Sequence, residues 1–266
     1  MIKILSYIGG KKLQSKWICS YIPQIGTYAE IFGGAMWVYI AGHINCEKAI
    51  YNDFNKYMFN LFTCCKDYNK LYDIAILNKR YDKEIFNKCQ RVIIEKGMNF
   101  EVPDFEMAAC YAYVSTHVFS GIVKPTGNKM ANDNGSNPGS KYNAFVNRLV
   151  NKDMNDKFDK LEAHNLSYEK IIEKIDGDDV LMYLDPPYYN TETYYSFHQF
   201  NKSDHRKLAD ILRTCKSKFI LSYYDFDNLT NWYSEDQYRY ERKEYNKVSS
   251  SKAKKNVGTE VLIMNY

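Results

Sequence analysis

The chain has 266 residues, enough to bury a core in one domain with a large insertion or in two modest domains, which excludes a mini-protein held by metal or disulfides. Lys outnumbers Arg 29 to 7, Tyr reaches 25 and Asn 24, a skew that codon bias in an AT-rich genome explains as readily as nucleic-acid binding by rings and cations. The net charge of +4 divides into −5 over residues 161–240 and +3 over each of 1–60, 61–160 and 241–266, an asymmetry that permits a polyanionic partner.

In chain order, TYAEIF (27–32) reads as a strand closed by Gly33-Gly34, and AMWVYIAG as a helix ending at Gly42. A second apolar run, KAIYND (48–53), completes a βαβ unit with its turn glycines at the end of the first strand. Residues 61–160 differ in character. They hold two helix-like segments, YDKEIFNKCQRVIIEK and DFEMAACYAYVSTHVFS, and then KPTGNKMANDNGSNPGSKYN, a polar loop of a length that usually marks a functional segment. Beyond it, DDVLMYLD (178–185) is a continuous apolar strand ending in a carboxylate. A helix capped at Ser203 follows, then the strand KFILSYYD, with QYRYERKEY and TEVLIMNY as edge strands or a closing hairpin. The expected plan is an α/β sheet, built from 1–60 and 161–266, interrupted by a mostly helical insertion over 61–160.

Seven scattered cysteines without a C-x-x-C pair and five histidines without ligand spacing suggest neither a disulfide framework nor a protein-bound metal. No apolar run reaches the roughly 18 residues of a membrane span, and the N-terminus lacks a signal peptide's apolar region and cleavage site, so the chain reads as cytoplasmic.

The strongest chemical signal is Asp185-Pro186-Pro187-Tyr188, directly after a sheet strand, where α/β folds place ligands. Two prolines stiffen the backbone and remove two N–H donors, leaving carbonyl oxygens beside the Asp carboxylate and an aromatic face above them. Such an acceptor-only cluster suits an exocyclic amino group of a nucleobase. Asp185 and the Pro186 carbonyl would grip its two hydrogens and free the nitrogen lone pair for attack. Tyr188 would stack on the base, flipped out of its duplex. A cosubstrate site is also legible: Glu30-Ile31-Phe32-Gly33-Gly34 forms a strand-to-helix turn, and Asp53 ends the next strand 20 residues after Gly33, where nucleotide-binding units place a ribose-binding acid.

These residues resemble the Dam-type (D12 class) DNA adenine N6-methyltransferases, phage members included, over most of the chain outside 61–160. The resemblance implies a Rossmann-like S-adenosylmethionine-dependent methyltransferase sheet, with 61–160 as the target-recognition insertion. Tyr7-Ile8-Gly9-Gly10-Lys11 is similar to the family's N-terminal motif, so that Tyr7 and Lys11 would contact S-adenosylmethionine. Glu30 to Gly34 is similar to the motif that sets Phe32 beside the cosubstrate adenine, with Glu30 and Gly34 also among the residues implied to bind the cosubstrate. Asn52-Asp53-Phe54-Asn55 resembles the ribose-binding acidic motif, and Asp185 to Tyr188 the catalytic motif, Asp185 also bordering the cosubstrate. Ser222-Tyr223, Glu260 to Ile263 and Asn265 share the likeness.

The implied reaction is site-specific methylation of adenine N6 in double-stranded DNA within a bacterial or phage-infected cell, and a cognate restriction endonuclease is a partner that this class admits. Lys12, Lys124, Lys129, Lys141 and the tail cluster Lys252, Lys254 and Lys255 are candidate phosphate contacts, while Phe197 and Phe200 are candidates to brace the flipped base or to pack in the core. Two positions depart from the pattern: Met36 replaces a glycine and Ser167 an acidic residue, both on the cosubstrate side. The alternatives are a cytosine N4 methyltransferase, which more often carries Ser at the Asp185 position, and a catalytically idle nucleic-acid-binding module of the same fold.

Overall fold

The structure is a computed structural model that describes residues 5, 11, 14–131, 139–190, 200–246 and 257–266. Its strands are β1 (Thr27–Glu30), β2 (Lys48–Asn52), β3 (Leu161–His164), β4 (Val180–Leu184), β5 (Lys218–Tyr224), β6 (Arg239–Asn246) and β7 (Val257–Met264). They form one sheet in the order β3-β2-β1-β4-β5-β7-β6. The first five are parallel, whereas β7 runs antiparallel to both β5 and β6. The chain moves outward from β1 through β2 to β3 and then crosses to β4, so the strand order reverses between β1 and β4. In open α/β sheets that reversal opens a crevice at the carboxyl ends of the strands, where ligands bind.

The helices are α1 (Ser15–Cys19), α2 (Trp37–Ala41), α3 (Lys56–Cys64), α4 (Tyr68–Ala75), α5 (Lys83–Lys96), α6 (Phe105–Thr116), α7 (Ser140–Leu149), α8 (Lys152–Asp159), α9 (Tyr168–Ile175), α10 (Lys202–Thr214) and α11 (Leu229–Trp232). Local chemistry fixes their starts. The Asp82 carboxylate accepts from the Glu84 and Ile85 N–H groups at the head of α5, and Asp104 does the same for Met107 in α6. Helix α10 begins at a capping box made by Asn201 and Asp204, two residues before the expected Ser203 cap; the side chain of Asn201 accepts from the Ser203 N–H, and Asp204 accepts from the backbone of Asn201.

Two-residue alternation along the strands divides the core. Tyr28, Tyr51, Leu181, Tyr183, Ile220 and Leu262 pack with the helices of the insertion. Ala29, Ile50, Met182, Leu184, Leu221 and Ile263 face the other way, toward α9 and α10. Helix α6 is apolar all round and buried from Met107 to Thr116, so it forms the centre of the insertion, with α3, α4, α5 and α7 around it. Helices α3 to α8 lie between β2 and β3 and share one continuous core with the sheet face beneath them, α3 (Lys56–Cys64) straddling the expected boundary at residue 61. The segment KPTGNKMANDNGSNPGSKYN is partly helical, since α7 starts at Ser140, while residues 132–138 lie outside the described set. Among the described residues no helix is long and apolar enough to cross a membrane, and no group of three or more His, Cys, Asp or Glu side chains is arranged to hold a metal.

Candidate active site

The alternation that sorts the core also gathers a set of polar groups. Glu30 ends β1, Asp185 follows β4, Ser222 lies in β5 and Glu260 in β7, each in step with residues that face the insertion helices. The antiparallel β7 brings its amino-terminal part to the carboxyl end of β5, with Glu260 opposite Tyr224 and Leu262 opposite Ser222.

Lys11 joins these strands. Its side chain is buried, with Nζ 2.9 Å from Asp185 Oδ1 and 3.0 Å from Glu260 Oε1. It also donates to the Tyr188 hydroxyl and stands 4.5 Å from the centroid of that ring. The Tyr188 hydroxyl donates in turn to Glu260 and lies 2.8 Å from Ser222 Oγ, while Ser222 donates to Glu260 Oε1 at 2.7 Å. Tyr188 is thus tied by its hydroxyl into the sheet, with its ring edge-on to Tyr224 at 4.2 Å. Two carboxylates and one ammonium share a single hydrogen-bonded cluster.

Burial decides the electrostatics. It raises the Asp185 carboxyl to about 6, Lys11 pulling against that rise and Glu260 adding to it. For Lys11, burial alone would favour the neutral amine, but Asp185 and Glu260 outweigh it and hold the ammonium form. The Tyr188 hydroxyl is pushed well up by burial and by the two nearby carboxylates, so it remains a donor. Asp185 is therefore ionised at neutral pH. One of its oxygens is committed to Lys11, and the prolines that follow contribute no N–H to compete with it.

The turn after β1 is built with equal economy of space. A Cβ at Gly33 would come within 2.4 Å of the Tyr51 ring, so no larger residue fits there. Gly34 and Met36 have φ of +47° and +50°, in the left-handed region that favours glycine. Met36 thus adopts a backbone conformation that a glycine takes freely, at a cost of about 1 kcal/mol. Its side chain is fully buried in the core on the insertion side of the sheet. Glu30 accepts from the Tyr39 N–H at 2.7 Å and the Tyr28 hydroxyl at 3.2 Å, pinning the first turn of α2. Burial raises this carboxyl to about 8, against those two hydrogen bonds.

At the other end of α2, Lys157 of α8 donates to the carbonyls of Tyr39 at 2.6 Å, Ile40 at 3.2 Å and Gly42 at 2.6 Å. Asp53 accepts from the Gly34 N–H and the Asn55 N–H, both at 2.7 Å, and burial lifts it to about 6. Asn52 bonds Ile31 and Leu166, tying together the chain segments that follow β1, β2 and β3. Phe32 meets Tyr168 at 5.8 Å and Phe200 at 5.5 Å, and so forms one wall of the crevice. Ser167 immediately precedes α9, and its side chain makes no capping bond to that helix.

The cluster thus brings together Lys11, Asp185 and Tyr188, with Glu30, Phe32, Gly34 and Asp53 around the adjacent turn. Tyr7, Lys12, Phe197 and the tail lysines lie outside the described residues. Phe200 packs edge-on against Phe32, in the core on the α9 and α10 side of the sheet. Lys124, Lys129 and Lys141 are exposed on the insertion. Sequence reasoning missed Phe119, which is 85% exposed between α6 and Lys124; at the end of an apolar segment it reads as core. It also gave no role to Ser222, Glu260 or Lys157. The available signal was a carboxylate inside the apolar run TEVLIM.

A family model described as D12 class N6 adenine-specific DNA methyltransferase matches residues 7–248. The chain is also similar to the Type II methyltransferase M.CviBI of Paramecium bursaria Chlorella virus NC1A, at 23% identity over 276 aligned positions that cover the whole of both proteins. The seven-stranded sheet is the Rossmann-like methyltransferase architecture that this match implies. With strand order, an Asp-Pro-Pro-Tyr turn beside the switch point and a family match spanning almost all of the sequence in agreement, the chain belongs to the D12 class of N6 adenine-specific DNA methyltransferases.

Proposed function

We propose that the chain methylates N6 of adenine within one short motif of double-stranded DNA, with the adenine turned out of the helix and into the crevice beside Asp185. The observation that carries this reading is the partly exposed Asp185 carboxylate, ionised at neutral pH and held by the buried Lys11 through one oxygen, in front of a Pro-Pro backbone without donors. The other oxygen and the Pro186 carbonyl are the acceptors for the two amino hydrogens. Drawing on both hydrogens localises the lone pair on N6, and the positive charge that develops there is stabilised by Asp185 at short range. Tyr188 supplies the aromatic face for the base. Asp185 is also the acceptor for the proton that the methylated amine releases.

The residues around the turn fit S-adenosylmethionine as methyl donor. Gly33 and Gly34 admit close approach to the backbone, Phe32 offers a ring for an adenine, and Asp53 stands at the end of β2 for ribose hydroxyls. The cosubstrate, when bound, supplies an electrophilic methyl group on a sulfonium cation. The surplus of buried carboxylate over ammonium in the Lys11 cluster suits a cationic ligand. The buried side chain of Met36 gives this residue no reason to crowd it.

For DNA, Lys124, Lys129 and Lys141 supply phosphate contacts and Phe119 an exposed ring able to stack on bases. The cytosine N4 reading lacks its usual Ser, since the site carries Asp185. An idle module gives no reason to keep an ionised Asp185 oriented by Lys11. The Type II name of the viral relative supports pairing with an endonuclease that cuts the same motif; plasmid methylated by this chain would then resist an endonuclease encoded beside it, and cleavage of that plasmid would refute the pairing.

The test is transfer of labelled methyl from S-adenosylmethionine to unmethylated plasmid, followed by mapping of the modified bases. The expected product is N6-methyladenine in a single short motif, absent with Asp185→Ala. Modified cytosine, or label that survives the substitution, would sink the assignment.

A further inference from the structure

We propose that Glu260 is a positioning residue for methyl transfer: it is the buried counter-charge that lets Lys11 fix the Asp185 carboxylate without cancelling its charge. The inference rests on the reading of Asp185 as the carboxylate that receives the amino group.

A lysine placed 2.9 Å from a catalytic carboxylate poses an electrostatic problem. It orients the oxygen it touches, but the pair is neutral overall, and a neutral pair attracts a developing positive charge far less than a free carboxylate does. Glu260 resolves this. Its Oε1 lies 3.0 Å from the same Nζ, so the cluster holds one ammonium and two carboxylates and carries a net negative charge. Lys11 divides its attraction between the two, and one equivalent of negative charge remains for the cation on which the reaction depends.

The setting of Glu260 fits this role. It is 1% exposed, on a strand whose following residues, Val261 to Met264, are all apolar and fully buried. A carboxylate there destabilises the fold unless it is fully partnered, and three donors meet it: Lys11, Ser222 and the Tyr188 hydroxyl. All three are groups of the site, so Glu260 also fixes the Tyr188 ring relative to Asp185. Among the described residues, the charged and titratable groups that face Asp185 are Lys11, Glu260, Tyr183, Tyr188 and Glu30. Of these, Glu260 is the carboxylate that shares the ammonium.

The test uses the full chain with Glu260→Gln, which keeps the size of the side chain and its acceptor oxygen but removes the charge, and Glu260→Asp, which keeps the charge. The first readout needs no ligand: carbon-13 titration of the Asp185 carboxyl, assigned by its loss in Asp185→Asn. Removal of the neighbouring negative charge in Glu260→Gln should lower the Asp185 midpoint by about one pH unit, whereas Glu260→Asp should leave it in place. The second is steady-state methylation of plasmid. In Glu260→Gln kcat should fall on the order of 10²-fold with KM for DNA unchanged, and Glu260→Asp should recover part of the loss.

Wild-type kcat in Glu260→Gln, or equal losses in both variants with the Asp185 midpoint unmoved, would overturn the proposal, the latter pattern being that of a merely structural residue. If Glu260→Gln does not fold, Glu260→Asp decides: an unmoved midpoint with activity nearer to wild type than to Asp185→Asn supports the role, and activity as low as Asp185→Asn refutes it. A wild-type chain that makes no N6-methyladenine would instead refute the reading of Asp185, while the titration would still report whether Glu260 and Asp185 are coupled.

Discussion

Replacing Glu30 by Gln isolates the electrostatic load carried by the buried carboxyl that ends β1. Glu30 is 3% exposed, and its carboxyl is raised by burial from 4.5 to about 8. The folded protein therefore keeps this proton over a range in which the unfolded chain releases it. The resulting stabilisation is complete below about pH 4.5 and is lost at about 1.4 kcal/mol per pH unit as the pH rises to about 8, a total on the order of 5 kcal/mol. Gln imitates the protonated acid at every pH and still accepts from the Tyr39 N–H and the Tyr28 hydroxyl.

Urea unfolding followed by tryptophan fluorescence at pH 6, 7 and 8 reads the difference between the two proteins, in which Asp53 and other shared groups that do not interact with Glu30 cancel. Between pH 6 and pH 8 the variant should gain about 2.3 kcal/mol on the wild type, the slope halving as the pH reaches about 8. A gap between the two that does not change with pH would show that the Glu30 carboxyl is not held protonated by its surroundings and would refute the reasoning.

Lys157→Met removes three hydrogen bonds to the carbonyl end of α2 and should cost about 1–3 kcal/mol in urea unfolding. Because α2 follows the β1 turn proposed to bind S-adenosylmethionine, binding of that cosubstrate by calorimetry should weaken with it; unchanged stability and binding would contradict the clamp. Phe119→Ala should leave stability within about 0.5 kcal/mol, since the ring is 85% exposed. Its affinity for duplex DNA should fall on the order of tenfold by fluorescence anisotropy, and equal affinity would remove Phe119 from the interface.

Strand β4 and the Asp185-Pro186-Pro187-Tyr188 turn were legible because each carries its own signal. DDVLMYLD is continuous in apolar character and ends in a carboxylate followed by two prolines, features that depend on no distant residue. The β1 turn was legible for the same reason, through its paired glycines. The missing elements lack such marks: β3 is four residues at the sheet edge with polar Glu162 and His164 in it, and it is specified by pairing with β2, which local propensity does not encode. The α10 cap shifted from Ser203 to Asn201 because Asn201 and Asp204 satisfy each other's backbone groups, a reciprocal pairing that outweighs a lone Ser. The Lys11 cluster joins residues separated by up to 249 positions along the chain, from Lys11 to Glu260, and only strand order and register bring them into contact. Met36 departs from the family pattern in the sequence, and neither its positive φ nor its complete burial in the core follows from its local sequence.

The central claim is that an ionised Asp185 carboxylate activates the amino group, and single-turnover methyl transfer against pH tests it most directly. With Asp185 raised to about 6, the wild-type rate should be flat above about pH 7 and fall about tenfold per pH unit well below pH 6. Asp185→Asn should lower the plateau by about 10²-fold or more and abolish that limb, with S-adenosylmethionine still bound. An acid limb that persists unchanged in Asp185→Asn, at a rate near wild type, would contradict the account.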